Sequence, residues 1–432
     1  MQAEPAPLSP PPRTNPLYSL SGVLAFAVVI VSWQLTVLLE FPASLSFGEA
    51  SLWLRSRSLG EAGTSWPPLA AWGIAATTAL CGHGETCARL WSPLASSGAA
   101  IVLYFLGRDL YGPRVGFLAA ITLMTLPTVF VSALSISRAP SVLLAWCVGL
   151  AVAWRGLRAV SAPEWGGWLA AVLLTVAAKG WELAALQEFG GNFEAVVRLL
   201  AWQGLAFGPL LLVGLIRLLG TLRSFPPDPT TRFLLIFTVV PAAGVLFGEL
   251  AGIPGDPVTA MVPAYGGAIL LVVARETAGG RAWLLRTSLG LHLLMAGLFF
   301  YGENLPEINA LGLSRTRFER WEILARQVGR IWATQPGTML LFDDPDLRAE
   351  LTYYLTPQSP GTGTPPATAL WADASPQPGR SYLLATRAAD VAPLARAFEH
   401  TEMLVVLRVP VKPEAYREIR LFRLYRYKGS PP

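Results

Sequence analysis

The residues best suited to chemistry lie in one charged stretch, residues 41–88, near the beginning of a mostly apolar chain. Glu49 is the leading candidate, because its carboxylate can act as a general base toward an acceptor hydroxyl or as a ligand for a divalent cation that bridges a phosphate. The alternative is structural. Ser46 and Glu49, in the stretch SFGE, fit a capping box at the start of a helix, where an acid also interacts favourably with the helix dipole.

Several basic residues accompany this glutamate along the chain. A guanidinium group is a planar set of donors that matches phosphate oxygens, so arginines here suit a phosphate-bearing ligand; anchoring at a membrane surface is the alternative for each of them. Lys179 can instead form an ion pair with Glu182, three residues later, or extend its ammonium group to the membrane surface. The candidate substrate-binding residues are Arg55, Arg57, Arg89, Arg138 and Lys179.

A cysteine pair encloses the short polar loop Cys81-Gly-His-Gly-Glu-Thr-Cys87. The two thiols either form a disulfide in an oxidising compartment or stay reduced, and the sequence leaves both alternatives open. The spacing of a four-ligand zinc site is absent, so zinc is not expected. The sequence also lacks a Gly-rich phosphate loop, a serine elbow and a His-Glu-x-x-His motif.

The composition indicates what kind of molecule must position these side chains. Of 432 residues, 53% are hydrophobic and only 14% are charged, which is the composition of an integral membrane protein rather than of a soluble domain. The net charge of +5 does not indicate a nucleic-acid partner, because the basic residues fall mainly in short loops between apolar runs, where they set membrane topology.

The charge-free runs predict about nine transmembrane helices, since a crossing helix needs about 20 apolar residues. The run 62–84 is also charge-free, but we interpret it as a short helix lying at the membrane interface, with Pro67 and Pro68 in its first turn. The predicted spans are residues 17–39, 90–107, 115–137, 139–154, 165–179, 199–216, 233–248, 257–274 and 287–301.

The distribution of arginines predicts the orientation of these spans. Arginines are concentrated in alternate loops, which places the Pro-rich N-terminal segment 1–16, expected to be disordered, in the cytoplasm. The first span is expected to stay uncleaved. Residues 17–302 then form a transmembrane domain whose first extracytoplasmic loop is 41–88, and an odd number of spans leaves the C-terminus outside.

Residues 303–432 are rich in charge and predict a small extracytoplasmic α/β domain. The fold class is therefore an α-helical polytopic membrane protein with a small C-terminal soluble α/β domain. The predicted elements are a helix at 315–332, a strand at 338–342, a helix at 346–355, a loop at 356–368, a strand at 381–386, a helix at 391–400, and strands at 403–409 and 419–427.

Three stretches carry a resemblance to a known family: GEASLWLRSRSL from Gly48, SWPPLAAW from Ser65 and CARLWSPLASSGAAIVLYFLGRDLYGPRVGFLAA from Cys87. They resemble the N-terminal part of the C-type membrane glycosyltransferase superfamily, of the protein mannosyltransferase and aminoarabinose transferase type. Weaker likenesses follow at VAAKGWELAAL and AWQGLAFGPLLL, and in the C-terminal segment. The matching positions are Glu49, Trp53, Arg57, Pro67, Pro68, Leu69, Arg89, Leu90, Tyr111, Gly112, Pro113, Arg114, Gly116, Lys179, Gln203 and Pro209.

The resemblance implies a protein of the bacterial inner membrane that takes a sugar from a polyprenyl-phosphate lipid. The departures from the family pattern concern its acids. The first acid, usually assigned as the catalytic base, falls on Gly48, and the acid and the basic residue of the second stretch fall on Ser65 and Trp66. A further acid, in a Pro-Asp pair, falls on Ser141. These side chains cannot accept a proton or hold a cation as carboxylates do.

Two hypotheses follow for function. In the first, the protein is a glycosyltransferase that moves a hexosyl or pentosyl group from a polyprenyl-phosphate donor to an extracytoplasmic lipid, glycan or protein. Glu49 is then the base or, if a divalent cation takes part, its ligand, and Arg57, Arg89 and Lys179 lie near the phosphate. In the second, the chain is a non-catalytic membrane subunit that binds lipid and assembles with a membrane protein partner.

Overall fold

The computed structural model describes the following residues: 15–40, 44–57, 69–82, 84–159, 193–222, 228–252, 260–301, 321–335, 337–356, 368–370, 377–388, 391, 396–412 and 415–429. The chain divides into two compact units. Unit 1 comprises Met1–Ser32, Ser96–Val129 and Leu143–Leu293, and unit 2 comprises Trp33–Ala95, Phe130–Val142 and Leu294–Pro432.

Helices dominate the described part of the chain before residue 302. In chain order they are α1 (Leu20–Glu40), α2 (Phe47–Arg57), α3 (Leu69–Cys81), α4 (Glu85–Arg89), α5 (Trp91–Tyr111), α6 (Pro113–Thr125), α7 (Pro127–Ser132), α8 (Ala139–Ala159), α9 (Phe193–Ala206), α10 (Pro209–Leu222), α11 (Pro229–Leu250), α12 (Val262–Ala278) and α13 (Ala282–Tyr301).

Four helical segments in the described residues are long and apolar enough to cross a membrane: Leu20–Glu40, Glu85–Tyr111, Ala139–Arg158 and Pro229–Leu250. A bent pair raises the number to five if it is one span. The protein is therefore a multi-pass membrane protein, but the described residues do not yield the nine spans expected. The span predicted at 165–179, with Lys179, lies outside the described residues.

Two predicted spans are not single straight helices. The run 199–216 is broken after Ala206, and the helices on either side are bent by 113°. Gly208 has a φ of +82° at this break, and Pro209 has no backbone N–H with which to continue the helix. The run 115–137 is likewise interrupted between α6 and α7, directly before Pro127, and its helix ends at Ser132. The charge-free run 62–84 contains α3, a short helix of 13 residues, while its position at the membrane interface stays a prediction and Pro67 and Pro68 lie outside the described residues.

The C-terminal part of unit 2 is a mixed five-stranded sheet with two helices. The strands lie in the order β2-β1-β3-β5-β4; β1 pairs in parallel with β2 and β3, and β5 pairs antiparallel with β3 and β4. The elements are α14 (Trp321–Ala333), β1 (Met339–Phe342), α15 (Pro345–Leu355), β2 (Thr368–Leu370), β3 (Tyr382–Thr386), β4 (Phe398–Lys412) and β5 (Ala415–Tyr427).

Most of the predicted elements of this segment are found within a few residues of their bounds, and two differ. The helix predicted at 391–400 is wrong at its end, because residues 398–400 belong to β4 and Phe398 pairs with Tyr427. The loop predicted at 356–368 ends in a strand that the sequence did not indicate, β2. Local helix-forming composition cannot reveal such long-range pairing.

The sheet buries a different set of apolar residues on each face. Alternate residues of a strand point to opposite faces, so Leu340 and Phe342 of β1 pack with α14 and α15, while Leu341 packs on the other side. Leu347 and Leu351 anchor α15 to the first of these faces. The helix α15 is thereby packed against the sheet, while its residues Ala349 and Tyr353 belong to a second apolar cluster.

Candidate functional site

Helix α2 carries Glu49 in its first turn and is built as the capping pattern predicts. The carboxylate Oε2 of Glu49 accepts hydrogen bonds from the backbone N–H of Ser46, at 2.9 Å, and from the Ser46 hydroxyl, at 3.2 Å. These bonds satisfy a donor at the helix start that would otherwise have no partner within the helix. The structural role predicted for Glu49 is therefore present.

Glu49 also forms a buried ion pair with Arg89 of α4. The Nε atom of Arg89 lies 2.8 Å from Oε1 and its Nη2 atom lies 3.0 Å from Oε2, a two-pronged arrangement that fits the planar guanidinium. The backbone N–H of Ile136 donates to Oε1 at 3.0 Å. Both side chains are more than nine-tenths buried, so solvent screens this pair little.

These contacts determine the protonation state of Glu49. Burial alone would raise the pKa of the carboxyl, but the hydrogen bonds and charge of Arg89, together with the N–H groups of Ser46 and Ile136, outweigh burial and hold the pKa below its usual value of 4.5. Glu49 is thus a charged carboxylate whose two oxygens accept five hydrogen bonds. Its role as a catalytic base stays a prediction, and this geometry favours the structural alternative.

The hydrogen bonds to Glu49 also decide whether this carboxylate could bind a divalent cation. Among the described residues, no three His, Cys, Asp or Glu side chains come together as a metal site. The guanidinium of Arg89 bonds to both carboxylate oxygens of Glu49, so it takes the positions from which that carboxylate would hold a cation. The residues around Glu49 therefore do not fit a metal ion.

The other predicted binding residues lie in different surroundings. The guanidinium of Arg57 lies over the ring of Trp53, 5.3 Å from its centre, and is half-buried. Arg55 is exposed on α2, and Arg138 is exposed two residues after Ile136. The structure thus brings Glu49 and Arg89 into contact, places Arg55 and Arg57 on the same helix, and keeps Arg138 in the segment that supplies the Ile136 N–H group.

A compact apolar cluster holds α2 in place. Trp53 of α2 is completely buried, and its ring meets that of Tyr353 edge-on at a centre-to-centre distance of 4.8 Å. Ile74 of α3 and Ala349 of α15 belong to the same cluster. Residues separated by three hundred positions in the sequence therefore form the support beneath the candidate site.

The next residue of α15, Tyr354, is a contact that sequence reasoning missed. Its hydroxyl accepts a hydrogen bond from the backbone N–H of Leu45, at 2.8 Å, and donates one to Oε1 of Glu85, at 2.6 Å. Burial, reinforced by the charge of Glu85, raises the pKa of Tyr354, so the hydroxyl remains protonated and stays a donor. Nothing in the local pattern around Tyr354 signals this contact.

Glu85 itself lies inside a short covalent loop. Cys81 and Cys87 form a disulfide, which resolves the alternative that the sequence left open. This bond ties the end of α3 to α4, the helix that contains Glu85 and Arg89. The position of Glu85 is thus restrained by the disulfide on one side and by Tyr354 on the other.

The positions where the family pattern has acids are also informative. Gly48 is exposed, and a Cβ atom placed there would meet no atom within 4 Å. Ser141 is buried, and its hydroxyl accepts a hydrogen bond from the indole N–H of Trp91 at 2.8 Å. Ser65 and Trp66 lie outside the described residues. One of the two described positions therefore has room for a larger side chain, while the other is closed by a tryptophan.

Residues 65–181 match the model of the dolichyl-phosphate-mannose-protein mannosyltransferase family. This match confirms the resemblance to the C-type membrane glycosyltransferase superfamily in a segment that includes Arg89, Arg138 and Lys179. Glu49 precedes the matched segment.

One solved structure is similar over most of the chain. The crystal structure of ArnT from Cupriavidus metallidurans in the apo state has a TM-score of 0.43 and 15% sequence identity, and the alignment covers 93% of this chain and 98% of that chain. No curated protein matches the sequence significantly.

Proposed function

Because residues 65–181 carry the model of a membrane mannosyltransferase family, we propose that this protein is a membrane glycosyltransferase that uses a polyprenyl-phosphate-linked sugar. The acceptor is a hydroxyl group of a lipid, glycan or protein on the extracytoplasmic side. The observation that carries the proposal is the family match, and the structure adds one geometric point to it. Glu49 and Arg89, 40 residues apart and both part of the resemblance, form one buried ion pair.

The reaction is a direct displacement at the anomeric carbon of the donor. The acceptor oxygen forms a bond to this carbon while the bond from the carbon to the phosphate oxygen breaks, and the leaving polyprenyl phosphate retains the electron pair. The acceptor proton passes to a base in the site. Developing negative charge on the phosphate is stabilised by nearby cations, which is the role that we propose for Arg55, Arg57, Arg138 and Lys179.

Arg89 takes part in a different way, because Glu49 fixes its guanidinium. A charged group held by two hydrogen bonds needs little reorganisation when charge develops on a substrate. We place Glu49 as the residue that holds Arg89 and the start of α2 in position. The alternative, Glu49 as catalytic base, predicts that a folded Glu49→Gln variant no longer releases polyprenyl phosphate.

The proposed location is the bacterial inner membrane, with the N-terminus in the cytoplasm and the C-terminal α/β domain outside. Two independent features support it. Arginines are concentrated in the loops assigned to the cytoplasm. The Cys81–Cys87 disulfide joins the end of α3 to α4 on the side assigned to the outside, and structural disulfides persist in oxidising compartments.

A second candidate function is a non-catalytic membrane subunit that binds lipid and assembles with a protein partner. The observation in its favour is the state of the acids. The carboxylate of Glu49 is fully hydrogen-bonded, and the family's acid positions at 48 and 141 hold a glycine and a serine satisfied by Trp91. On this hypothesis the chain keeps the phosphate-binding arginines without the base.

Turnover of a defined donor distinguishes the enzyme hypothesis from the subunit hypothesis. Purified protein in lipid nanodiscs is incubated with polyprenyl-phosphate mannose and a membrane extract as the source of acceptor, and free polyprenyl phosphate is measured. The enzyme hypothesis predicts release that depends on time and protein. A matched sample of Arg89→Met, which leaves Glu49 without its cation, should release much less. Absence of release with this and other polyprenyl-phosphate sugars, together with a stable co-purifying membrane protein, would support the subunit.

A further inference from the structure

We propose that Glu85 is the general base of this site, a role that rests on the proposed function and goes beyond it. The described residues between 44 and 89 contain two carboxylates, Glu49 and Glu85. Their surroundings divide their tasks. Glu49 binds the guanidinium of Arg89 and caps the start of α2. Glu85 instead has one oxygen bound by the neutral hydroxyl of Tyr354, which leaves its other oxygen for a substrate.

The hydrogen bonds of Glu85 show the difference directly. Its Oε1 atom accepts from the Tyr354 hydroxyl at 2.6 Å. Among the described residues, Oε2 accepts no hydrogen bond, and the side chain is half-buried rather than closed off. A base needs one lone pair that can reach the proton to be removed and a partner that fixes its orientation, and Glu85 has both.

The charged groups around Glu85 suit proton transfer. Arg89 lies one helical turn further along α4, and the electrostatic neighbours on other elements are Glu49 of α2, Glu322 of α14 and the hydroxyl of Tyr354. Arg89 is already bound by Glu49, so it does not form a direct ion pair with Glu85 among the described residues. Glu85 therefore lacks the bidentate partner that holds Glu49 permanently in its charged form.

The step that Glu85 would perform can be written in full. Oε2 accepts the proton of the acceptor hydroxyl as the acceptor oxygen attacks the anomeric carbon, and the sugar–phosphate bond breaks with its electron pair on the leaving polyprenyl phosphate. Glu85 is left as a neutral carboxylic acid. Its proton then passes to solvent, which restores the carboxylate for the next turnover.

The position of Glu85 also explains why the family's acid positions can be empty. Glu85 interacts electrostatically with Glu49 and Arg89, and the Tyr354 hydroxyl links it to Leu45, two residues before α2, the helix that contains Gly48. On this proposal, the carboxylate of Glu85 takes over the role of the acid that is missing at position 48.

The test compares Glu85→Gln with Tyr354→Phe in the full-length protein, with release of polyprenyl phosphate from polyprenyl-phosphate mannose as the readout. Glutamine keeps an oxygen for the Tyr354 hydroxyl but cannot take a proton, so we expect turnover to fall by about 10²–10⁴-fold, the usual contribution of a general base. Phenylalanine removes the hydrogen bond that orients the carboxylate but leaves the base in place, so turnover should fall by much less than in Glu85→Gln. Glu194→Gln, an exposed glutamate of α9, is the matched control.

The pH dependence adds a readout that a purely structural role would not change. A hydrogen bond to a carboxylate favours its charged form, so loss of the Tyr354 donor should move the acidic limb of the kcat/KM profile to higher pH. The residual kcat/KM of Glu85→Gln should no longer fall along this acidic limb. Glu85→Asp, which keeps the carboxylate, should be more active than Glu85→Gln, and thermal melting of each variant checks folding.

The outcomes separate this role from the proposed function. An active wild type with a Glu85→Gln variant that is folded and within about threefold of it would overturn the role of Glu85 alone. A large loss in Tyr354→Phe together with full activity in Glu85→Gln would do the same and assign the contact to structure. A wild type that turns over no polyprenyl-phosphate sugar would refute the proposed function and the role of Glu85 with it.

Discussion

Replacing Glu49 with glutamine tests the buried ion pair at the centre of the site. The substitution keeps the length and shape of the side chain but removes the charge that faces Arg89. Removing one partner of a buried ion pair costs about 3–5 kcal/mol, because the remaining charge stays buried without compensation. The Glu49–Arg89 pair meets this description, since both side chains are more than nine-tenths buried and two hydrogen bonds join them.

The chain offers a matched control in Glu194→Gln. Glu194 also pairs with an arginine, Arg198, but their side chains are 88% and 61% exposed and lie 3.8 Å apart. Exposed pairs of this kind contribute about 0–1 kcal/mol. Unfolding by guanidinium chloride in detergent, followed by tryptophan fluorescence, should therefore show a much larger loss of stability for Glu49→Gln than for the control.

The pH dependence of this difference has a definite sign. The folded state holds the pKa of Glu49 below its usual value of 4.5, so the charged pair stabilises the protein above that pH. This contribution is lost as the pH falls through the lowered pKa, and the gap between wild type and Glu49→Gln should narrow in acid. A Glu49→Gln variant as stable as Glu194→Gln at neutral pH would refute the assignment of a buried, charged pair.

Two further substitutions test the surroundings of this pair. Gly48→Asp should raise stability by about 1 kcal/mol, because an acid in the first turn interacts favourably with the helix dipole and glycine is a poor helix former. The new side chain would have open space, since a Cβ atom at position 48 meets no other atom within 4 Å. Equal or lower stability in a melting experiment would contradict that geometry. Tyr353→Leu should cost about 1–2 kcal/mol by removing the edge-on contact with Trp53 and should shift the tryptophan emission to longer wavelength. Its control, Tyr416→Leu, changes a tyrosine of β5 that is 61% exposed, and an equal effect of the two would contradict the packing role of Tyr353.

Local patterns in the sequence were enough to predict the elements that depend on neighbouring residues. The SFGE stretch predicted the capping contact between Ser46 and Glu49, because both partners lie within one helical turn. The alternation of apolar residues in 419–427 predicted most of β5 for the same reason. In each case the information is contained in a few consecutive residues.

Contacts between distant segments were not predictable in this way. The sequence marked Arg89 as a phosphate-binding candidate, but its pairing with Glu49 depends on how α2 and α4 pack. The hydroxyl of Tyr354 reaches Glu85 from a helix 269 residues further along the chain. The bend after Ala206 did have a local signal, the Gly208-Pro209 dipeptide, which the continuous apolar run obscured.

The hydrogen bonds of the site also impose an order on the biogenesis of the protein. During synthesis, Glu49 emerges 40 residues before Arg89 and 87 residues before Ile136, and Leu45 emerges 309 residues before Tyr354. Closing such long segments makes these contacts late events in folding. A ribosome-bound chain that lacks its last hundred residues therefore can form the ion pair and the contacts with α3 and Ile136, but it lacks the contacts of Tyr353 and Tyr354, which complete the site only after the whole polypeptide has been made.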